Sequence, residues 1–380
     1  MIRKFFSLSI LCLNYFYSQT HFTIPQNVWR ISIENEISGG KWKGHDGGDG
    51  WKDFTYQLDG IDYIITQEWK RNLLTQSYSI EYGFTDKSTF MLHIPRLQKF
   101  KQSHSWTISS DSLIVPMDQL LSHYYPKSKT NSGLGNVGLG MNFLLLGNPA
   151  WRGGKNKYSL YGGIDITFPF GERLKKYHAK DVDSEGIPNQ YKQLPIGNGL
   201  TRWRIKAFGE LYRKLWGRLI NVNWLVNLSS FNRDIINPPI SFLWIQETSA
   251  DSISRAIGDA VLYEQGKQIY GSIQGQMEIW PQRMFFAVGM DWMLSGRDQY
   301  FSSSDAWDKW MISRKNYDSR KNVVTQFLKF NFLNVDPFKQ FGPIPFELEV
   351  GVRWFVPFLT YQTFGYTSSW IRISSYFQAW

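Results

Sequence analysis

Two glutamates form the most suggestive acidic pair in the sequence. Glu347 and Glu349 lie two residues apart in the segment FELEVGVRW. Residues at this spacing share a face of a β-strand, so both carboxylates would point the same way. Such a pair could exchange protons as a general acid and base. It could equally balance the positive charge of Arg353 and its neighbours, and the spacing leaves both readings open.

Three basic residues repeat the same spacing. Arg202, Arg204 and Lys206 alternate with apolar residues in LTRWRIKAF, which places a basic stripe on one face of a strand. Inside a pore, such a stripe would guide anionic solutes. The alternative is that the stripe balances glutamates that face the same space.

His93 is a further candidate. It lies on the polar face of its segment, near the outer end of the predicted strand, with Glu81 close by across a predicted hairpin. Such a histidine could bind a metal ion or a proton. No second histidine is in register, so a hydrogen bond inside the protein is the simpler expectation. The segment GHDGGDG (residues 44–50) lacks the ligand spacing of a calcium loop, and the sequence predicts no metal and no catalytic residue.

A nucleotide-binding motif is present only as a spacing of glycines. Gly133, Gly135 and Gly138 spell G-x-G-x-x-G within SGLGNVGLGMNFLLLG (residues 132–147). The motif requires a strand before it and a helix after it. Here polar residues precede the glycines, and the residues that follow alternate with a period of two. The segment therefore predicts a β-strand and no nucleotide cofactor, with glycines that leave room for bulky neighbours.

The N-terminal segment predicts export. Arg3 and Lys4 precede an apolar run that gives way to polar residues near position 18, which is the layout of a secretory signal peptide. We place the signal peptide at residues 1–20 and the mature domain at residues 21–380. The single cysteine, Cys12, lies within the signal peptide. Disulfides, zinc–thiolate sites and cysteine nucleophiles are therefore not expected in the mature domain.

The elements that would position the candidate residues are strands. Alternating segments of about ten residues recur along the chain, separated by alternately long and short connections, and 17% of the residues are aromatic. These features are typical of an all-β protein: a transmembrane antiparallel β-barrel with about 12 strands and long extracellular loops. The polar strand faces would line the lumen. They supply the candidate solute path: Arg30, Glu34, Glu81, His93, Arg202, Arg204, Lys206, Glu210, Asn221, Asn223, Glu278, Asp291, Lys329, Glu347, Glu349 and Arg353.

The connections carry less regular patterns. We assign residues 54–69, FTYQLDGIDYIITQEW, to the first long loop, although they could add to the strand count. Short helical patterns occur in residues 115–125 and 252–266, within two other long loops.

The predicted partners follow from charge and location. The formal net charge is +10, but no block of five or more Lys and Arg residues occurs, so nucleic acid is not an expected partner. Attraction to anionic headgroups explains the charge. We expect outer-membrane lipid and lipopolysaccharide, the barrel-assembly machinery and a small-molecule solute as partners, in the outer membrane of a Gram-negative bacterium. The terminal Trp380 suits recognition by that machinery.

Two segments resemble a known family. SYSIEYGFTDKSTFMLHIP (residues 77–95) resembles the YGLTD hairpin, and residues 132–147 resemble the GLGD-x-x-LG strand, of outer-membrane barrels known as putative transporters linked to phenol and meta-pathway degradation. The LDG at residues 58–60 and the PMDQLLSHYYP at residues 116–126 are similar to a related family of uncharacterised Gram-negative outer-membrane proteins. Asn136 stands where the first family usually has Asp. The resemblance covers most of residues 28–170 and implies a membrane barrel with a transport role.

Three functions remain open at this point. The first is a channel or transporter for small molecules, including hydrophobic or aromatic ones. The second is a structural or adhesive barrel that acts through its surface loops. The third is a barrel hydrolase that would use Glu347 or His93.

Overall fold

The computed structural model describes residues 22–58, 61–109, 127–149, 156–172, 194–236, 257, 261–281, 283–313, 319–334 and 344–378. The predicted signal peptide and Trp380 lie outside these residues. The strands are β1 (Val28–Lys43), β2 (Trp51–Leu58), β3 (Ile61–Thr85), β4 (Ser88–Ser109), β5 (Ser128–Leu134), β6 (Val137–Gly147), β7 (Asn156–Phe168), β8 (Arg202–Leu215), β9 (Arg218–Phe231), β10 (Asp234–Ile236), β11 (Val261–Glu264), β12 (Gln268–Trp280), β13 (Met284–Ser295), β14 (Gln299–Phe301), β15 (Lys321–Asn334), β16 (Phe346–Phe355) and β17 (Thr363–Gln378). A helix, α1 (Asp305–Ser313), precedes β15.

Antiparallel pairing closes most of these strands into one barrel. β1 pairs with β3 on one side and with β17 on the other, which joins the first and last strands. β5 and β6 act together as one barrel strand, since both pair with β4 on either side of a break at Gly135 and Asn136. The closed barrel therefore has 12 strands, and the predicted all-β barrel is confirmed.

The two ends of the barrel differ as the sequence predicts. Residues 86–87 and 216–217 form tight turns at one end, where residues 335–345 are the longest connection. The connections at the other end are longer still, except for residues 356–362 between β16 and β17. In outer-membrane barrels the short turns are periplasmic and the long loops extracellular. We name the two ends accordingly.

The outer surface is apolar because alternate residues of each strand point away from the lumen. Trp29, Trp216 and Trp280 lie near the periplasmic end, and Trp203 and Phe358 near the extracellular end. Aromatic residues at both ends are the expected anchors at lipid headgroups. Between them lies a belt of exposed aliphatic side chains: Ile31, Ile33, Ile37, Ile164, Ile205, Val222, Val226, Ile273, Val288, Val350, Val352, Ile371 and Ile373. This surface matches the hydrocarbon core of a bilayer.

The first hairpin is longer than predicted. The sequence placed it at residues 77–95 and assigned residues 54–69 to a loop, but β3 and β4 extend it to residues 61–109. β2 pairs with the first part of β3 and adds a further strand at the edge of the sheet. The loop assignment was therefore wrong, yet the barrel count is unchanged because β2 does not join the closed ring.

A small sheet forms beyond the extracellular rim. β11 lies between β10 and β14, and Trp307 of α1 packs edge-on against Tyr300, with ring centroids 5.9 Å apart. We call β10, β11, β14 and α1 the extracellular cap. The helical prediction for residues 252–266 is wrong at β11, where Val261, Leu262 and Tyr263 favour a strand. The helical pattern at residues 115–125 lies outside the described residues.

No helix among the described residues is long and apolar enough to cross a bilayer.

Candidate functional site in the barrel lumen

The predicted solute-path residues all occupy inward positions of the barrel strands. They are buried, except for Glu34 and Arg353, which keep 13% and 14% of their side-chain surfaces exposed. Side chains therefore fill much of the lumen. What these residues do depends on which of them contact one another.

Glu349 is the centre of one charge cluster. It accepts hydrogen bonds from Lys329 Nζ at 3.1 Å, Arg372 Nη2 at 2.9 Å and Trp370 Nε1 at 2.8 Å. Arg372 also lies 3.8 Å from Glu34. We call Glu349, Lys329, Arg372 and Glu34 the Glu349 cluster. Its carboxylate is held by two cations, which is the arrangement of a structural ion network.

The expected partner of these glutamates is corrected by the structure. Arg353 forms its ion pair with Asp291, at 3.4 Å, and Glu347 accepts a hydrogen bond from Tyr376 at 3.0 Å. Glu347 and Glu349 share a face, and both carboxylates interact electrostatically with Lys329 and Arg372. The two carboxylates therefore belong to a network of buried ions and hydrogen bonds.

Asp165 is the centre of a second cluster. Its carboxylate lies 2.7 Å from Lys206 Nζ and 3.6 Å from Arg204 Nη1. Arg202 donates to Thr167 Oγ1 at 3.2 Å. The counter-charge for the basic stripe thus comes from an aspartate on the neighbouring strand, where the sequence reading expected glutamates.

Glycine makes room for this Asp165 cluster. A Cβ atom on Gly140 would lie 2.0 Å from Asp165 Oδ1, and one on Gly163 would lie 2.3 Å from Lys206 Cε. No larger residue fits either position without displacing the ion pair. The glycines of the strand at residues 132–147 therefore include one that the buried charge requires.

His93 and Glu81 each have another partner. Glu81 forms a short ion pair with Arg30, and His93 Nδ1 lies 3.0 Å from Ser79 Oγ. The expected hydrogen bond of His93 is therefore present. The expected position near the outer end of its strand is wrong, because β4 continues through Pro95 to Ser109. Within the described part of the chain, no cluster of three or more His, Cys, Asp or Glu side chains could hold a metal ion.

Two remaining acidic residues also bind neighbouring groups. Glu210 accepts hydrogen bonds from Tyr161 and Tyr212, the latter at 3.2 Å. Glu278 accepts one from the Leu219 backbone N–H at 3.1 Å, close to the periplasmic turn between β8 and β9.

An apolar cluster crosses the lumen and was missed by the sequence reading. The phenyl ring of Phe22 lies 4.7 Å from that of Phe208, which stacks on Tyr161 at 5.1 Å between centroids. Leu225, Tyr270 and Met293 complete what we call the lumen seam. The sequence did contain a sign of this cluster, because Tyr, Phe and Leu occur at inward positions of otherwise polar strand faces.

The N-terminal segment enters the barrel from the periplasmic end. Phe22, Thr23 and Ile24 are buried. Asn142 Nδ2 donates to the Phe22 carbonyl at 3.0 Å, and the Ile24 N–H donates to Thr89 Oγ1 at 3.1 Å. We call residues 22–27 the plug segment. Its first three residues lie inside the barrel, and the segment does not join the sheet.

A column of amides faces the lumen on β9 and β12. Asn221 and Asn223 have side-chain nitrogen and oxygen atoms that are buried and form no hydrogen bond within the described residues. The Oε1 atoms of Gln274 and Gln276, which pair across the strands with these asparagines, share this state. Buried polar atoms are satisfied in the great majority of cases. The amide column is therefore the least satisfied part of the lumen wall.

Comparisons with known proteins give the fold a counterpart. No family model and no curated protein matches the chain. An outer-membrane channel from Pseudomonas putida F1 is 13% identical, with 94% of this chain and 98% of that chain covered and a TM-score of 0.51. A FadL homologue from Pseudomonas aeruginosa is 8% identical over 93% and 91% of the two chains, and a monoaromatic hydrocarbon channel is 9% identical over 94% and 89%, each with a TM-score of 0.32.

These similarities are evidence about the fold alone. The TM-score of 0.51 supports the same barrel architecture, whereas the two scores of 0.32 are too low to carry an argument. A closed antiparallel barrel with an aliphatic belt between aromatic ends is suited to the outer membrane of Gram-negative bacteria. The chain is a 12-stranded β-barrel of that membrane.

Proposed function

We propose that the chain is an outer-membrane channel for small molecules with apolar parts, and that the plug segment closes its periplasmic end. One observation carries this proposal. The plug segment lies outside the sheet, and the amide column of the lumen wall has buried polar atoms without hydrogen bonds to the described residues. A purely structural barrel would gain stability by satisfying its buried amides. A channel needs polar groups that water and solute can bind once the lumen opens.

The lumen contents support a solute of mixed character. The lumen seam lies beside the amide column, since Leu225 of the seam is on the same strand as Asn221 and Asn223. An aromatic or aliphatic solute would contact the seam with its apolar part and the amides with its polar part. The similar barrel from Pseudomonas putida is itself named a channel.

The plug segment is suited to reversible closure. It contacts the barrel through a few hydrogen bonds and through the side chains of Phe22 and Ile24. It follows directly on the predicted signal peptide, so the new N-terminus formed by cleavage would lie beside it. Because the segment is outside the sheet, it can leave without breaking any strand pairing.

A liposome-swelling assay tests this proposal. The double variant Phe22→Ser, Ile24→Ser removes the apolar anchors of the plug segment, and we expect the influx of small sugars and amino acids to rise severalfold. Gln26→Ser is the matched control, because Gln26 is an exposed residue of the same segment. The folded state is checked by the heat-dependent mobility of barrels in gels.

The assay has a clear negative outcome. If liposomes with the folded double variant remain as impermeable as empty liposomes to ions, sugars and small aromatic compounds, the channel proposal fails. If the control opens the barrel as far as the double variant does, the plug segment is not the closing element.

A further inference from the structure

Arg71 is a buried cation on the inward face of β3, towards the extracellular end. Its residue surface is 0% exposed. Its Nε donates to Gln102 Oε1 at 2.6 Å. Neither Nη1 nor Nη2 has a hydrogen-bond acceptor of ordinary geometry within the described residues. The Tyr366 hydroxyl is near enough to interact with the guanidinium, but no carboxylate of the described residues binds the Nη1 and Nη2 ends that normally hold one.

Aromatic rings surround this guanidinium. Its Cζ lies 3.9 Å from the centroid of the Phe364 ring and 5.3 Å from that of Phe100. Trp42 packs edge-on against Phe364 with centroids 5.2 Å apart, and Tyr366 stacks on Phe364 at 5.8 Å. Faces of aromatic rings stabilise a cation, but they do not neutralise its charge.

No acidic residue in the described structure forms an ion pair with Arg71, and the Tyr366 hydroxyl is the group that interacts with it electrostatically. The charge clusters deeper in the lumen differ, because each holds a carboxylate: Glu81 with Arg30, Asp165 with Arg204 and Lys206, Glu349 with Lys329 and Arg372, and Asp291 with Arg353. An unpaired charge inside a protein is costly. Among the described residues no carboxylate offsets this charge, so a bound anion would stabilise it.

We infer that Arg71 and the rings of Trp42, Phe364 and Phe100 form a binding site for a small aromatic carboxylate at the extracellular end of the lumen. The carboxylate would accept two parallel hydrogen bonds from Nη1 and Nη2, and the ring of the ligand would pack among the aromatic side chains. The inference deepens the proposed function, on which its role in uptake rests. Binding itself can be measured without transport.

Two neighbouring features fit an anionic ligand. Lys321, at the start of β15, interacts electrostatically with Asp298 and also with Arg71, so a second cation lies near the site. Leu194 and Ile196 pack in one cluster with Phe100 and Tyr366.

The test is a binding titration followed by fluorine NMR. The full-length mature protein in nanodiscs is titrated with 4-(trifluoromethyl)benzoate and with the neutral 4-(trifluoromethyl)benzamide. We expect the benzoate to bind at least tenfold more tightly. Arg71→Met, which removes the charge but keeps the length of the side chain, should weaken benzoate binding at least tenfold and leave benzamide binding unchanged.

Two further variants make the test specific. Lys41→Met removes a positive charge near the same rim, where the Lys41 side chain is 48% exposed, and should change neither affinity. Arg71→Lys keeps the charge but loses the paired donors, so it should recover only part of the benzoate affinity.

The outcomes separate the two proposals. Equal binding of benzoate and benzamide, or an Arg71→Met variant that binds benzoate normally, overturns the carboxylate site. Solute flux in liposomes that persists after such a result leaves the channel intact. Normal benzoate binding without any flux would keep the site and reject the channel.

Discussion

The middle of the lumen and its extracellular end use similar side chains in opposite ways. In the Glu349 cluster, Lys329 and Arg372 share one carboxylate and are fully packed. At the extracellular end, Arg71 is equally buried, but the described residues around it supply aromatic rings and no carboxylate. The first arrangement is complete within the chain. On our proposal, a bound carboxylate completes the second.

The difference teaches where to look for function in a crowded barrel. A buried ion pair holds neighbouring strands in register. If one member is removed, the other stays buried without its counter-ion, which destabilises the folded state. A buried cation without a carboxylate partner is costly to the folded state, which points to a role other than stability. Substitutions in the Glu349 cluster should therefore lower the free energy of unfolding far more than a substitution of Arg71.

The largest loss of stability should follow Glu349→Gln. The change leaves Lys329 and Arg372 in the lumen without their shared counter-ion, which should lower the free energy of unfolding by about 3–5 kcal/mol. Urea-induced unfolding in detergent micelles, followed by tryptophan fluorescence, measures this. Glu34→Gln is the control. Glu34 lies 3.8 Å from Arg372, farther than Glu349 does, and its side chain is partly exposed, so its loss should cost less. Equal losses in both variants would contradict the central position of Glu349.

A smaller loss should follow Gly140→Ala. The added methyl group would lie 2.0 Å from Asp165 Oδ1, so the Asp165 cluster must shift, at a cost of about 1–3 kcal/mol. Gly275→Ala on β12 is the matched control, since nothing lies within 4 Å of its added Cβ. The same unfolding assay compares the two. A harmless Gly140→Ala would mean that the cluster can rearrange freely.

A local effect should follow Asp298→Asn in the loop before β14. Asp298 accepts hydrogen bonds from the Tyr263 hydroxyl at 2.7 Å and the Gly266 N–H at 2.9 Å, yet burial raises the pKa of its carboxyl above the ordinary value. The folded state then holds a proton more tightly than the unfolded chain. The protonated Asp298 carboxyl therefore stabilises the folded state at pH values below its pKa in the unfolded chain, near 4. This stabilisation is lost as the pH rises through its higher pKa in the folded protein.

Hydrogen exchange of the extracellular cap between pH 4 and pH 7 measures this contribution. After correction for intrinsic exchange rates, protection of the cap should fall with rising pH in the wild type and stay level in Asp298→Asn. A wild-type cap whose protection rises over this range would contradict the sign of the shift.

The barrel could be predicted from sequence because it depends on a local pattern. Alternation with a period of two determines which residues point inward. The lengths of the connections indicate which end of each strand is periplasmic. Ion partners could not be predicted in the same way. Lys329, Glu349 and Arg372 lie on three strands, and their meeting depends on the register of β15, β16 and β17. No local pattern specifies that register.

The plug segment and the Arg71 site were missed for different reasons. The plug segment is an irregular peptide whose burial depends on the finished barrel, so no periodic signal marks it. Arg71 lies in a strand where Gln67, Trp69, Arg71 and Leu73 share a face. That alternation was readable, but its mixed polar and aromatic character resembles neither a typical lumen face nor a lipid face.

The smallest change in stability should come from Arg71→Met, and it separates the two regions most sharply. The substitution removes a buried charge that has no counter-ion, while the methionine side chain can still pack against Phe364 and Phe100. Removing the buried charge favours the folded state. The loss of the cation–π contact with Phe364 and of the hydrogen bond to Gln102 opposes that effect. The free energy of unfolding should therefore stay within about 1 kcal/mol of the wild type, whereas Arg372→Met should lose several times more because Glu349 and Glu34 each lose a counter-charge. If Arg71→Met proves as damaging as Arg372→Met, Arg71 is a structural residue whose charge is already balanced in the folded barrel.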